Sequence, residues 1–193
     1  MSKSLTKQGF ENVRYFSEGK RSIVYIAEYK NKKVAIKTKK PKSKAKGRIQ
    51  NEIIFLKLLN KYKIGPKLVL YGKDFIAYEF VKGIKFIDWL TNKDIKTKRK
   101  IVTIILKKCR ILDKLKINKK EFTRPIKHIL IYKNKPYFID FERCYFTEKP
   151  KNVTQLCQFL IDNNLMKKNI KILKNYKENQ TEKNFKEILK LIN

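Results

Sequence analysis

The sequence has few of the features that mark a secreted or membrane-inserted protein. Its three cysteines, Cys109, Cys144 and Cys157, form no C-x-x-C pair, which argues against a disulfide framework and against a zinc site. No apolar run approaches the roughly 20 residues that a membrane span needs. The first residues also lack the apolar core of a signal peptide. We therefore predict a cytoplasmic protein with no membrane partner.

Arginine and acidic residues are also scarce. Only seven of the 49 basic residues are arginine, there are 17 acidic residues, and the formal net charge is +32. A field this positive attracts nucleic acid non-specifically. Proteins that read base edges usually use arginine, however, and A/T-rich codons or growth at high temperature also enrich lysine. The charge therefore predicts, at most, non-specific nucleic-acid binding.

The chain is long enough for a real core, since 42% of its 193 residues are apolar. Short runs rich in β-branched residues predict strands, and apolar residues at helical spacing predict helices. The predicted strands are 22–28, 33–37, 67–71, 74–81, 129–132 and 137–139, and the predicted helices are 49–62, 86–90, 98–116, 153–163 and 183–192. Strands come first and helices follow, which indicates an α+β protein with two unequal lobes, 1–81 and 82–193.

Two sequence patterns follow one another in the first strands. The stretch SEGKRSIV has the G-x-G-x-x-G-x-V spacing of a glycine-rich loop, with Gly19, Ser22 and Val24 at the second glycine, the third glycine and the valine. Small residues in such a loop let backbone N–H groups approach phosphates. V-A-I-K ends at Lys37 on the next predicted strand. Taken alone, these patterns are also typical of an ordinary hairpin and of a strand that ends in a solvated lysine.

The later patterns carry carboxylates. Glu52, on the first predicted helix, is the only acidic residue between Glu28 and Asp74, and its alternative role is to relieve repulsion among lysines. In the stretch F-I-D-F-E, Asp140 directly follows a predicted strand. Because an uncompensated buried acid is costly, Asp140 is the strongest single functional candidate. His128, the only histidine, precedes the strand before it.

Together and in this order, these patterns resemble the protein-kinase-like superfamily over Ser17 to Glu142, with Y-E-F-V-K-G at the place of the hinge. R-P-I-K-H at 124–128 and D-F-E-R at 140–143 are similar to patterns in small archaeal predicted serine/threonine kinases. Those proteins are similar to RIO kinases and to the kinase of the KEOPS tRNA-modification complex. The resemblance implies a bilobal protein-kinase-like fold, with an N-terminal antiparallel sheet plus helix and a reduced, mainly helical C-terminal lobe.

The resemblance implies ATP and Mg²⁺ as ligands. Lys37 would contact the α- and β-phosphates and pair with Glu52. The glycine-rich stretch would cover the phosphates. Main-chain groups near Glu79 and Val81 would bind the adenine edge, although a strand that leaves its sheet before a glycine has the same pattern.

The resemblance also implies a metal site, which Asp140 and His128 would line. Nitrogen is a poor ligand for the hard Mg²⁺ ion, so direct coordination is expected of Asp140 more than of His128. The catalytic carboxylate departs from the family pattern, because Thr123 stands five residues before His128 and the nearest acid is Glu121. Either Glu121 is the catalytic base or the base is absent. Lys127 would stabilise the charge of a transferring phosphate.

Two functions follow as hypotheses. The first is an atypical serine/threonine kinase, ATPase or autokinase that binds Mg-ATP between two lobes. Only 53 residues follow Asp140, and the A-P-E motif of ordinary protein kinases is missing. Broad phosphorylation of peptides is therefore not expected. The second is a basic RNA-associated pseudokinase, with lysines at 39–46 and 93–120 contacting RNA. The resemblance implies a protein substrate or a tRNA- or ribosome-associated complex as partner. A purely structural protein is the remaining alternative.

Overall fold

The computed structural model describes residues 5–41, 43, 47–91, 93–123 and 125–193. Strands and helices are mixed, so the predicted α+β class is confirmed. The chain divides into two compact units: the first comprises Met1–Lys82 and Ile139–Arg143, and the second comprises Gly83–Phe138 and Cys144–Asn193. The short segment Ile139–Arg143 therefore belongs to the first unit, although it is distant from the rest of that unit in sequence.

The first unit is built on a five-stranded antiparallel sheet with the order β1-β2-β3-β5-β4. Its strands are β1 (Glu11–Glu18), β2 (Ser22–Tyr29), β3 (Lys32–Lys39), β4 (Leu68–Tyr71) and β5 (Phe75–Glu79). Lys30 and Asn31 join β2 to β3 with positive φ angles of 49° and 60°. A two-residue turn of this kind matches the twist of the flanking strands.

Side chains of β3 alternate between the two faces of this sheet. Val34 and Ile36 belong to an apolar cluster with Phe10 and Ala77. Since successive side chains of a strand point in opposite directions, Lys37 lies on the other face. Helix α1 (Arg48–Asn60) packs against β3, β4 and β5, and its buried side chains are Ile49, Glu52, Ile53, Phe55, Leu56 and Leu59. A glutamate among these apolar residues requires a charged partner.

The second unit is mainly helical. Its helices are α2 (Phe86–Leu90), α3 (Ile95–Lys114), α4 (Asn152–Asp162), α5 (Ile170–Glu178) and α6 (Glu182–Leu189). Its strands are β6 (Ile84–Lys85), β7 (Ile117–Lys119), β8 (Ile129–Tyr132), β9 (Lys135–Phe138) and β10 (Cys144–Phe146). β6, β8 and β9 form one small sheet and β7 pairs with β10, while Lys120–Thr123 and Pro125–Lys127 are single 3₁₀ turns.

A buried polar network links three helices of the second unit. Asp113, near the end of α3, accepts hydrogen bonds from the backbone N–H groups of Asn152 and Val153 in α4 and from the Tyr176 hydroxyl of α5. Its carboxyl also accepts the side-chain amide of Asn152 at 2.7 Å. These bonds satisfy a buried carboxylate and fix the register of the helices that surround it.

The structure differs from the predicted elements at several places. β1 was not predicted, because nearly all of its side chains are exposed and the usual alternation of apolar and polar residues is absent. α5 was also not predicted, although Leu173 and Tyr176 lie at helical spacing in its sequence. The two 3₁₀ turns, Lys120–Thr123 and Pro125–Lys127, lie where neither a strand nor a helix was predicted. Within the described ranges, every helix is too short or too polar to cross a membrane.

Candidate functional site

Lys37 lies at the centre of a group of carboxylates in the first unit. Its Nζ is 2.7 Å from Glu52 Oε2, 2.9 Å from Asp140 Oδ1 and 3.3 Å from Glu142 Oε2. An ammonium group has three N–H donors, which matches the three carboxylates around it. We call these four residues the Lys37 cluster. Lys37 and Asp140 are 103 residues apart in the sequence, so the fold brings these charges together.

The central strand and the helix position the first two members of the cluster. Lys37 is in register with Val24 of β2 on one side and with Ile76 of β5 on the other, so its backbone is held by two neighbouring strands. Glu52 lies in the second turn of α1, the helix that packs on this sheet. The buried ion pair therefore joins the sheet to the helix.

Helix α1 also anchors the segment that carries Asp140. The backbone N–H of Phe141 donates to Glu52 Oε1 at 3.3 Å. The carbonyl of Glu142 accepts from Asn51 Nδ2 at 3.0 Å and from Arg48 Nη1 at 3.3 Å. The backbone is thus fixed at two neighbouring residues, which limits where the Asp140 and Glu142 carboxylates lie.

Apolar packing holds the same segment in place. Phe141 is 1% exposed, and its ring lies against Gly65. A Cβ at Gly65 would be 3.0 Å from the Phe141 ring and 2.7 Å from Leu56 Cδ1, and Gly65 has a φ of +81°. Both the close approach and the left-handed backbone require glycine at this position.

Asp140 has a left-handed backbone, with a φ of +64°. Aspartate tolerates this region better than most residues, but a non-glycine residue held there still costs on the order of 1 kcal/mol. The hydrogen bonds and packing of the two residues that follow stabilise it. Of the nine described non-glycine residues with a positive φ, Asp140 is the one that belongs to the Lys37 cluster.

Exposure differs strongly among the carboxylates. The side chain of Glu52 is 1% exposed and that of Glu142 is 10% exposed, whereas that of Asp140 is 32% exposed. Glu52 therefore has access to Lys37 but not to solvent. Asp140 can contact Lys37 and an external ligand.

Burial and charge shift the ionisation of the cluster. Burial alone would lower the pKa of Lys37, but the charges of Glu52 and Asp140 outweigh it and hold that pKa well above its usual value. Burial raises the pKa of Glu52, and Lys37 offsets part of this effect. Burial, followed by the charge of Glu52, also raises the pKa of the nearby Tyr78 hydroxyl. Lys37 is therefore a fixed cation at neutral pH.

The three carboxylates have the chemistry of a site for a hard cation. One oxygen from each of Glu52, Asp140 and Glu142 lies within 4.8 Å of the others. Carboxylate oxygens are the ligands that Mg²⁺ prefers, and Mg²⁺ is usually held by one or two of them together with water and phosphate. Lys37 already lies among these oxygens and Glu52 has no access to solvent, so Asp140, the most accessible carboxylate, is the donor that fits Mg²⁺.

The remaining predicted residues of the first unit lie in the β1–β2 hairpin and at the end of β5. Gly19 is in the turn between the strands, where its N–H donates to the carbonyl of Ser22 at 2.9 Å. Val24 follows on β2, directly opposite Lys37. The N–H of Glu79 donates to the carbonyl of Lys67 at 2.8 Å, and Val81 is half-buried beyond the end of β5. The hairpin therefore lies next to the strand that carries Lys37.

The other predicted residues belong to the second unit. Glu121 lies in a 3₁₀ turn and is buried, with Oε2 3.1 Å from Nζ of the fully buried Lys119. Lys127 is exposed at the end of the next turn. His128 is half-buried, and its backbone N–H donates to the carbonyl of Pro125. The roles of these residues remain predictions, and Arg124, the side chain of Thr123 and residues 42, 44–46 and 92 lie outside the described residues.

Sequence reasoning assigned no role to several residues that shape the site. Glu142 was noted only as part of D-F-E-R at 140–143, yet it contributes the third carboxylate around Lys37. Arg48 and Asn51 are on the same helix as Glu52, at spacings of four and one residues. The spacing of four places Arg48 on the same helical face as Glu52. Arg48 and Asn51, however, both donate to the backbone carbonyl of Glu142, and a pattern of side chains does not reveal such a target.

No protein-family model matches the chain, and no curated protein matches it at a significant level.

Proposed function

We propose that the chain is a nucleotide-binding phosphotransferase: an atypical serine/threonine kinase or ATPase with Mg-ATP as its substrate. The observation that carries the proposal is the meeting of Lys37, Glu52 and Asp140, the three residues that the sequence motifs select independently of their positions in space. An inactive scaffold has no requirement for these side chains to meet, whereas phosphoryl transfer requires it. The two units would then be the lobes of a reduced kinase-like fold.

Each member of the cluster has a role that follows from its exposure. Glu52 is buried and keeps Lys37 charged and oriented. Lys37 would exchange the hydrogen bond to Asp140 for one to a nucleotide phosphate. Asp140, with Glu142 beside it, would hold Mg²⁺. When bound, the ion would neutralise the negative charge of the phosphates.

The other predicted residues complete this proposal. Gly19, Ser22 and Val24 lie on the β1–β2 hairpin, which would cover the phosphates. Main-chain groups near Glu79 and Val81 would bind the adenine edge. In the second unit, His128 would line the metal site, and Glu121 and Lys127 would act on the acceptor and on the transferred phosphate.

The test is release of γ-phosphate from labelled Mg-ATP, with both free phosphate and labelled protein measured. Asp140→Asn keeps the size of the side chain and removes its charge, so we expect turnover to fall by at least about 100-fold. Asp88→Asn, at an exposed acid of α2, is the matched control and should retain turnover. The destination of the label separates an ATPase from an autokinase.

A second variant separates binding from turnover. Lys37→Arg keeps the positive charge but changes its shape and reach, so we expect weaker ATP binding while circular dichroism reports an intact fold. Turnover that survives Asp140→Asn would exclude this mechanism. An intact wild-type protein that neither binds nor hydrolyses Mg-ATP would exclude the function itself.

One observation favours the second hypothesis, an RNA-associated pseudokinase. Lys96, Lys100 and Lys107 are exposed on α3 at spacings of four and seven residues, which places them on one face of the helix. Together with the net charge of +32, this row would contact successive phosphates of RNA. The lysines at 39–46 would extend such binding, although residues 42 and 44–46 lie outside the described residues.

Salt dependence tests the RNA hypothesis. Affinity for a single-stranded RNA should fall steeply with salt, and the triple Lys→Gln variant at 96, 100 and 107 should reduce the logarithmic slope by about 2, at about 0.7 for each lost phosphate contact. The control removes three exposed lysines elsewhere, at 167, 168 and 171. Equal losses in both variants would show that binding follows net charge and uses no defined surface.

A further inference from the structure

A cavity of about 190 Å³ lies at the N-terminal end of α1, within the first unit. Its charged lining comprises Arg21, Lys39, Arg48, Lys73, Asp74 and Glu142. Lys37 and Asp140 do not line it. Glu142 is shared with the Lys37 cluster and Ser22 with the β1–β2 hairpin, whereas Lys39 and Lys73 have no role in the proposed phosphoryl transfer.

The lining carries more positive than negative charge. Four cations face two carboxylates, which leaves an excess of two positive charges. Within the part of the chain that the structure describes, neither Lys39 nor Lys73 forms an ion pair. Arg21 is 3.9 Å from Glu142 Oε1, a weak pairing that leaves most of its five N–H donors available. The cavity thus presents cations whose charge the surrounding protein does not neutralise.

The backbone at this end of the helix adds hydrogen-bond donors. Gly47 is the N-cap, and no side chain caps the helix. The first turn contains no acidic residue. The first N–H groups of a helix have no partner within the helix, and the helix dipole adds partial positive charge there. These N–H groups supplement the side-chain cations. Without the cations, the N–H groups would be insufficient to define a site.

Two hydrogen bonds from α1 fix the backbone next to Lys73, one of the cations that line the cavity. Gln50 Nε2 donates to the carbonyls of Gly72 and Lys73, at 3.2 Å and 2.7 Å. This contact ties the β4–β5 turn, and with it Lys73, to the first turn of α1, which carries Arg48. Lys39, at the end of β3, lines the cavity from the sheet.

We propose that this cavity binds a single phosphate group, presented as a phosphomonoester. Near pH 7 such a group carries a charge close to −2, which matches the excess charge of the lining. A volume of about 190 Å³ is below the roughly 300–1,000 Å³ of sites that enclose drug-sized ligands. The cavity is therefore large enough for one phosphate group and smaller than sites that enclose a drug-sized ligand.

The geometry favours a phosphomonoester over a nucleic-acid backbone. RNA presents singly charged phosphodiesters in a row and is bound along extended basic tracks. Here the cations surround one cavity. The proposal does not rest on the proposed kinase function, because Lys39 and Lys73, the cations that carry it, have no part in that function.

The test is a calorimetric titration with inorganic phosphate and with O-phosphoserine, at physiological ionic strength to limit non-specific attraction. The variant is Lys39→Gln with Lys73→Gln. Its control, Lys61→Gln with Lys67→Gln, removes the same charge from exposed positions of the same unit. We expect the first variant to bind both probes at least about tenfold more weakly and the control to bind as the wild type does.

Three results would overturn the proposal. Equal weakening in both variants would show attraction to net charge alone. Binding of phosphate that Lys39→Gln and Lys73→Gln leave unchanged would place the anion elsewhere. A single-stranded RNA that displaces O-phosphoserine from the cavity, and binds more tightly per phosphate, would replace the phosphomonoester with RNA. Because the variants at Lys39 and Lys73 leave Lys37 and Asp140 in place, a failed kinase assay would not affect this result.

Discussion

Replacement of Lys37 by methionine tests whether the buried charges support the first unit. Methionine keeps the apolar stem of lysine but leaves three carboxylates without their shared cation. Removing one partner of a buried ion pair costs about 3–5 kcal/mol, because the remaining charge stays buried and uncompensated. Glu52, at 1% exposure, accounts for most of this loss, while the 32% exposure of Asp140 allows water to screen its charge.

The assay is the free energy of unfolding from urea titrations followed by circular dichroism at pH 7. Lys37→Met should lower it by about 3–5 kcal/mol. Lys32→Met is the matched control, since Lys32 is on the same strand in an exposed ion pair, 3.7 Å from Glu79. Exposed pairs contribute about 0–1 kcal/mol, so the control should lose little.

A double variant separates the charge from the packing. Lys37→Met with Glu52→Leu removes both charges of the most buried pair, and such apolar replacements are often neutral or stabilising. We therefore expect the double variant to recover most of the lost free energy of unfolding. If Lys37→Met costs less than about 1 kcal/mol, or if Glu52→Leu adds a further loss, the inferred role of the ion pair is wrong.

The pH dependence of Lys37→Met has a definite sign. Burial raises the pKa of Glu52 even in the wild type, and loss of Lys37 raises this pKa further. A carboxyl group with a raised folded-state pKa favours the fold below its unfolded-state pKa, about 4.3, and loses that contribution as pH rises through the folded-state pKa. The destabilisation should therefore be smaller at pH 4 than at pH 7, provided that the wild type remains folded at both.

Three further predictions concern stability. Gly65→Ala should lower the free energy of unfolding by about 2 kcal/mol or more, because its Cβ would meet Phe141 and its φ is +81°; a loss under about 0.5 kcal/mol in urea titrations would contradict this. Asp113→Asn should cost about 3 kcal/mol, measured in the same way, since its carboxyl accepts four hydrogen bonds; an unchanged midpoint would refute it. Burial lowers the pKa of Lys108 to about 8. Between pH 8 and the usual lysine pKa of about 10.4, Lys108 therefore binds more protons in the unfolded chain than in the folded protein. This group should make the free energy of unfolding rise with pH in that range. Lys108→Met should remove that rise, and an identical pH profile in both proteins would exclude it.

Local sequence patterns were sufficient where one element carries its own signal. The β-branched runs of β2 and β3 and the apolar spacing of α1 are short-range features, and the structure has strands and a helix there. β1 was missed for the converse reason, because it buries so little of its surface that its sequence lacks a clear period. α5 does carry apolar residues at helical spacing, among them Leu173 and Tyr176, and sequence reasoning overlooked that signal.

The motifs by themselves selected Lys37, Glu52 and Asp140, because the identity and order of charged residues are properties of the chain. Only the tertiary structure decided that these side chains meet, since Asp140 follows Lys37 by 103 residues and reaches it through a short segment that packs with the sheet and helix of the first unit. The same holds for Glu142 and for the cavity at α1. Their cations and carboxylates come from strand ends, a turn and a helix end, and a charge acquires a partner only through the distances that folding sets.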